Sequence, residues 1–240
     1  MDLWKISLAD SSRTQLTQWG TVKGSSASHS PDGRQIAFIA NRGGHLNIWT
    51  QDTGDGQLNQ ITIFEKFGLA GMKWSPDGQY LLYEAKESKP NSSWDIWLIP
   101  ASGGKTEPLI DWPLNVYEAS WSPDGQHIAF TGTGPKNEDK KAPMDIWIKH
   151  MSNGEVTLLT EGESPYWSPD GQTILFVRGD TRFENDIWTI PAAGGQAAPL
   201  LETPFGENYP IWSADGQAIF FFRLATEDIW IADVSALVGR

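Results

Sequence analysis

The chain has 240 residues, a net charge of −12 from 30 acidic and 18 basic side chains, and no cysteine. This length suits one sizeable domain. The charge leaves no basic face for nucleic acid and disfavours an anionic membrane surface. The lack of cysteine excludes disulfides and thiolate metal sites. The one lysine-containing run, 136–141, is interrupted by Glu138 and Asp139, and no apolar stretch approaches the length of a membrane span.

In chain order, the first signal is Asp2-Leu3-Trp4, followed by a short strand pattern over Thr14–Thr17. Met1 therefore already lies inside the repeat pattern, and no signal peptide is read before it. Ser30-Pro31-Asp32-Gly33 then opens a series that recurs at Ser75–Gly78, Ser122–Gly125 and Ser168–Gly171, and once more as Ser213-Ala214-Asp215-Gly216. Its aspartates Asp32, Asp77, Asp124, Asp170 and Asp215 are spaced by 45, 47, 46 and 45 residues. Proline presets the first turn position, Asp tolerates the second and Gly takes positive φ after them. A second mark, Asp-Ile-Trp or a variant of it, carries Trp4, Trp49, Trp97, Trp147, Trp188 and Trp230.

Within one period the pattern resolves into four strands. In the third unit, Ala119–Ser122 is strand A, Ile128–Phe130 strand B, Asp145–Ile148 strand C and Val156–Thr160 strand D. Strand B recurs as Ile36–Phe38, Leu81–Tyr83, Ile174–Phe176 and Ile219–Phe221. A period in the forties with four short antiparallel strands predicts an all-β, single-domain β-propeller over 1–240. Five blades are expected, with six blades or an incomplete ring as alternatives. In the five-blade reading, N-terminal strands of 2–17 complete the last blade, formed by 207–234, and one C-type strand is left over. The tryptophans before the turns, Trp74, Trp121, Trp167 and Trp212, read as packing between blades.

Trp-Ser-Pro-Asp-Gly, Ile-Ala-Phe, Asp-Ile-Trp, Gly-Gly and Leu-Thr together resemble the Pro-Asp repeat propellers of the TolB type. The same repeat occurs in the propellers of tricorn protease and prolyl-oligopeptidase-like enzymes. The resemblance covers essentially the whole chain. It implies periplasmic or extracellular residence and binding of protein or peptide at one face or at the channel mouth. TolB itself is expected to have a sixth blade and a preceding α/β domain, and this sequence has neither a sixth Ser-Pro-Asp-Gly nor that domain.

In an up-and-down blade the A–B and C–D turns share one face, and the B–C and D–A loops share the other. From the turn glycine to the strand-C tryptophan the five repeats count 16, 19, 22, 17 and 14 residues. The B–C loops therefore vary most, and this face is the expected binding face. Its D–A loops carry aromatics beside acids, a combination suited to a cationic or peptide ligand. The expected partner-binding residues are Trp112, Tyr117, Glu118, Glu163, Glu207 and Tyr209. The expected partner is a protein or peptide with basic patches, not nucleic acid, and no membrane insertion is expected.

No catalytic residue is assigned: no Gly-x-Ser-x-Gly elbow occurs. The five repeat aspartates are assigned to turns, since a catalytic group is needed once and a turn residue in every blade. The histidines His29, His45, His127 and His150 stand at non-equivalent repeat positions and read as surface residues. No metal ligand set and no cofactor are expected, apart from calcium at acids of the channel mouth as a weaker alternative. Asp52-Thr53-Gly54-Asp55-Gly56 reads as a C–D turn. The sequence thus points to a non-enzymatic binding scaffold. The alternatives are the gating propeller of a peptidase without its catalytic domain and, further off, a propeller lyase or lactonase.

Overall fold

The computed structural model describes residues 2–7, 9–135, 143–179 and 185–235, all of them in strands, turns and loops. A hairpin of β1 (Trp4–Ile6) and β2 (Arg13–Gln15) leads into five antiparallel blades. Blade 1 is β3 (Val22–His29), β4 (Gln35–Arg42), β5 (His45–Asp52) and β6 (Leu58–Gln60). Blade 2 is β7 (Phe67–Trp74), β8 (Tyr80–Glu87), β9 (Asp95–Pro100) and β10 (Glu107–Ile110). Blade 3 is β11 (Val116–Trp121), β12 (His127–Gly132), β13 (Asp145–His150) and β14 (Val156–Glu161). Blade 4 is β15 (Glu163–Trp167), β16 (Thr173–Arg178), β17 (Asp186–Pro191) and β18 (Ala198–Leu201). Blade 5 has β19 (Glu207–Trp212), β20 (Ala218–Arg223) and β21 (Asp228–Asp233), a three-stranded sheet among the described residues. The predicted five-blade, four-stranded plan is the observed one, with the fifth blade carrying strands A, B and C.

The chain falls into two compact units, Met1–Asp111 with the hairpin and blades 1 and 2, and Trp112–Arg240 with blades 3 to 5. In the first unit, Trp4 pairs with Gln15 just as Trp49 pairs with Gln60 and Trp97 with Pro108. The hairpin thus repeats the register of a C–D strand pair. Leu3, Leu16 and Trp19 pack it against Val22, Ile36, Phe38 and Trp49 of blade 1. Blades 1 and 2 share a cluster centred on Ile39, Ile48, Leu69, Leu81 and Tyr83, all buried. In the second unit, Ala129, Ile146, Trp167, Ile174 and Phe176 join blades 3 and 4. Leu175, Ile187, Trp212 and Phe221 do the same for blades 4 and 5. The outer strand β21 exposes Ile229, Trp230 and Ile231.

Each A–B turn is organised around its serine. The Ser75 hydroxyl donates to Asp77 Oδ1 at 2.6 Å and accepts the Tyr80 amide, the first of strand B, at 2.9 Å. Asp77 Oδ1 also accepts the Gln79 amide at 3.0 Å, and Gly78 N–H donates to Ser75 C=O at 2.9 Å. The same set recurs at Ser30, Ser122, Ser168 and Ser213. The turn glycines hold φ near +70°, where a side chain would be strained. A Cβ at Gly78 would lie 3.5 Å from Pro31 Cδ, and one at Gly171 3.5 Å from Pro123 Cδ, so turns of successive blades stack.

The hydroxyl bond first, and the backbone amide second, hold the carboxyls of Asp77, Asp124 and Asp170 below the ordinary aspartate value. A depressed folded-state pKa contributes stability that is present above the unfolded value, near pH 3.9, and is lost as pH falls through the folded value. Ser75 is buried, so Ser75→Ala removes two bonds at a site shielded from water. It should cost about 1–2 kcal/mol in urea unfolding at pH 7. That gap should narrow as pH falls through the depressed Asp77 value, where the protonated carboxyl no longer offers a charged acceptor.

Candidate functional site

The predicted binding face is built by the ends of strands B and C and by the D–A loops. Within it, the first strands of blades 2 to 5 each carry a bulge. Tyr117 pairs with Thr131 and Ser120 with Ala129, so Glu118 and Ala119 together oppose Phe130. The same two-against-one step falls opposite Tyr83, Phe176 and Phe221. The first bulged residue is left-handed in every case: Gly71 at φ 56°, Glu118 at 57°, Ser164 at 56° and Tyr209 at 53°. For a non-glycine residue this costs about 1–2 kcal/mol. It also turns the side chain away from the strand's alternation. Two of the six predicted residues, Glu118 and Tyr209, occupy this position.

The Glu118 carboxylate is tied into the next blade. Its Oε2 accepts the Ser164 amide at 2.9 Å and the Thr131 hydroxyl at 3.1 Å. Tyr209 carries no such bond and is 62% exposed. Tyr117 is half-buried beside Glu118, and Glu163 is exposed.

Trp112 covers an aromatic pair. Its ring lies edge-on to Phe130 at 5.2 Å and to Trp147 at 5.1 Å. Gly132 leaves the room: a Cβ there would come within 3.2 Å of Trp112 Cζ3 and 2.9 Å of Val116. Trp19 does the same over Phe38 and Trp49 in blade 1. In blades 4 and 5 the position of Gly132 is an arginine. Arg178 lies over Phe176 and Trp188, at 5.2 and 4.9 Å, and Arg223 over Phe221 and Trp230, at 5.7 and 4.1 Å. In these four blades the strand-B aromatic and strand-C tryptophan therefore receive a lid, supplied as a loop aromatic or as a guanidinium, and in blade 2 Phe64 and Phe67 flank Tyr83 and Trp97 at 6.3 and 6.4 Å.

Glu207, expected on an exposed rim, is fully buried. Its Oε1 accepts from Arg223 Nε at 3.2 Å and from the Thr203 hydroxyl at 2.5 Å. It anchors the blade-5 lid and offers a partner no surface. The sequence misled here through register: Glu207 stands five residues before its tryptophan and Glu163 four. One step along a strand reverses the face.

What remains open on this face is a polar cleft of about 300 Å³ between blades 3 and 4, lined by Met144, Glu161, Gly162, Glu163, Arg178 and Asn185 among others. The cation among its described lining residues is engaged: Arg178 donates to the Glu161 carbonyl at 2.8 and 3.1 Å and to the Thr160 hydroxyl at 2.5 Å. At the edge, Asp145 pairs across the ladder with Glu161. Burial first, and the Glu161 charge second, raise the Asp145 carboxyl above its ordinary value. Sequence reading placed Glu163 here, but the contributions of Arg178 and Asn185 came only with the loop geometry. The lysine-containing run 136–141 within the longest B–C loop lies outside the described residues. No group of three or more His, Cys, Asp or Glu side chains able to hold a metal occurs among the described residues, and calcium at acids of the channel mouth remains an expectation from sequence.

Two substitutions separate support from recognition. Trp112→Ala should cost about 3–5 kcal/mol of stability by loss of a large packed ring. Glu207→Ala should cost about 3–5 kcal/mol by stranding Arg223 without its counter-charge. Both are read by urea denaturation of the whole chain, and Tyr209→Ala should leave stability within about 0.5 kcal/mol.

Comparison with known proteins places these features in a family. A model of the TolB beta propeller domain (PD40) matches residues 73–238. The Tol-Pal system protein TolB of Francisella tularensis subsp. mediasiatica is 28% identical over 187 residues, covering 76% of this chain and 41% of the relative. The uncharacterized peptidase YuxL of Bacillus subtilis is 30% identical over 102 residues, 41% of this chain and 16% of the relative. The crystal structure of TolB from Acinetobacter baumannii superposes with a TM-score of 0.73 at 20% identity, over 98% of this chain and 57% of that one. The chain thus spans less than half the length of these curated relatives.

Proposed function

The chain belongs to the TolB beta propeller domain family, and from that premise we propose that it is a binding scaffold whose B–C and D–A loops receive a protein or peptide bearing basic groups. The observation that carries this reading is the cleft at Glu161 and Glu163. Both acids are exposed there, while Arg178, the cation among the described lining residues, donates to backbone and hydroxyl oxygens. A lysine or arginine entering the cleft meets two exposed carboxylates. Exposed Tyr209, on the next first strand, adds an aromatic surface for an alkyl or guanidinium group. The net charge of −12 favours encounter with cationic partners, mainly through association rate.

In this reading the chain performs no chemistry of its own and works outside the cytoplasm, as the family resemblance implies. A second reading rests on the similarity to YuxL: the propeller would then screen substrates for a hydrolase domain, and the acidic cleft would select peptides with basic residues.

The test is fluorescence polarisation with a set of short peptides that differ in lysine and arginine content. The expected outcome is charge-dependent binding that weakens between 50 and 300 mM salt. Glu161→Gln with Glu163→Gln should weaken it about tenfold and flatten the salt dependence, while stability stays unchanged. Equal affinity for basic and acidic peptides, or a double variant that binds as the wild type, would remove the proposal.

A further inference from the structure

At the opposite end of blade 3 from the acidic cleft, the sheet register brings together two histidines that are 23 residues apart in sequence. Every blade pairs its strand-B aromatic with its strand-C tryptophan, and in blade 3 this is Phe130 with Trp147. Three steps outward along both strands, the same ladder pairs His127 with His150. Their backbone groups turn away from one another. His127 N–H donates to Ser122 Oγ and its carbonyl accepts the Ser122 amide, while His150 N–H donates to the Glu155 carbonyl. They form a non-hydrogen-bonded antiparallel pair, the closer of the two kinds. The imidazole centroids are 4.7 Å apart with an interplanar angle of 79°, and His127 is backed by the Trp167 ring at 6.0 Å.

The pair is singular within the repeat. The equivalent partners are Gln35 with Asp52, Tyr80 with Pro100, Thr173 with Pro191 and Ala218 with Asp233. A side chain needed for folding recurs from blade to blade, as the turn serines do; this pair occurs once. Both imidazoles line a cleft of about 610 Å³ between blades 3 and 4, whose walls also include Asp124, Leu158, Trp167 and Asp170. The Asp124 carboxylate is held by Ser122 and the Gln126 amide and adds negative potential beside His127.

We propose that His127 and His150 form a two-imidazole chelate for a borderline transition-metal dication such as Zn²⁺ or Ni²⁺, with its remaining coordination positions open to the cleft. Imidazole is a preferred ligand for these ions. A rigid ladder presents the two rings together, so little ordering entropy is lost on binding. Among the described residues no third His, Cys, Asp or Glu converges with them. The bound ion therefore keeps water on its open positions, or takes a donor group from an incoming ligand. Two ligands give a modest site, and protons compete with the ion for both nitrogens, so affinity falls on acidification.

The test is isothermal titration of chelator-treated protein with Zn²⁺ or Ni²⁺ alone at pH 7.5. One ion per chain is expected, with affinity reduced at least tenfold in either His127→Gln or His150→Gln and retained in His29→Gln with His45→Gln. Affinity should weaken in a second titration at lower pH. Should a blade-3 variant fail to fold, histidine-selective NMR of the wild type with substoichiometric Ni²⁺ decides the matter, since only the His127 and His150 ring signals should broaden first. No stoichiometric uptake, affinity unchanged in both blade-3 variants, or broadening led by His29 or His45 would overturn the assignment.

Discussion

The arrangement depends on one hydroxyl per blade. The turn serine donates to the aspartate two residues on and accepts the amide that begins strand B. One small side chain thus fixes where strand A ends and strand B begins. Once that register is set, the bulge falls opposite the strand-B aromatic, which in turn meets the strand-C tryptophan. Because a slip of one residue would move each buried side chain to the opposite face, this local bond determines which residues form the interior between blades. The glycine's positive φ and the proline that stacks on the next blade's glycine follow from the same turn.

Variation enters where that constraint no longer reaches. Every aromatic–tryptophan pair has a cover, but the chain supplies it as Trp19 and Trp112 from loops, as Phe64 and Phe67 in blade 2, or as Arg178 and Arg223 from strand B. The choice has consequences for surface chemistry. An aromatic lid neutralises nothing. An arginine lid must be matched, and it is matched by the buried Glu207 carboxylate in blade 5 and by Glu161 and Thr160 oxygens in blade 4. The second solution also shapes the acidic cleft, since Arg178 is held there by the Glu161 carbonyl and the Thr160 hydroxyl.

The fold was legible because its signals repeat. Five turns and six tryptophans at one period carry the strand plan, and even the left-over C-type strand finds its counterpart in β1, which pairs with β2 in C–D register. The bulge was not legible: its left-handed residue is Gly71, Glu118, Ser164 or Tyr209, four types with nothing in common. Without it, acids three, four and five residues before a tryptophan look alike. Yet Glu118 bridges blades, Glu163 is exposed and Glu207 is buried. Trp112 looked like a binding aromatic because the space left by Gly132 is a tertiary fact. The His127–His150 pair was legible in principle, since the Phe130–Trp147 register extends to it. Judging each histidine by its own repeat position hid a relation that exists only between two strands.

Amide hydrogen exchange resolved by residue tests the turn-centred account most directly. The amides of Ser75, Ser122, Ser168 and Ser213 donate to the carbonyls of Tyr80, His127, Thr173 and Ala218 at 2.8–2.9 Å, at the very edge of the blades. The account predicts protection at these four positions comparable to that of the strand-B amides, and far above that of other loop amides. Exchange of the turn serines at loop rates, with strand B still protected, would show that the register is set by packing alone and would contradict it.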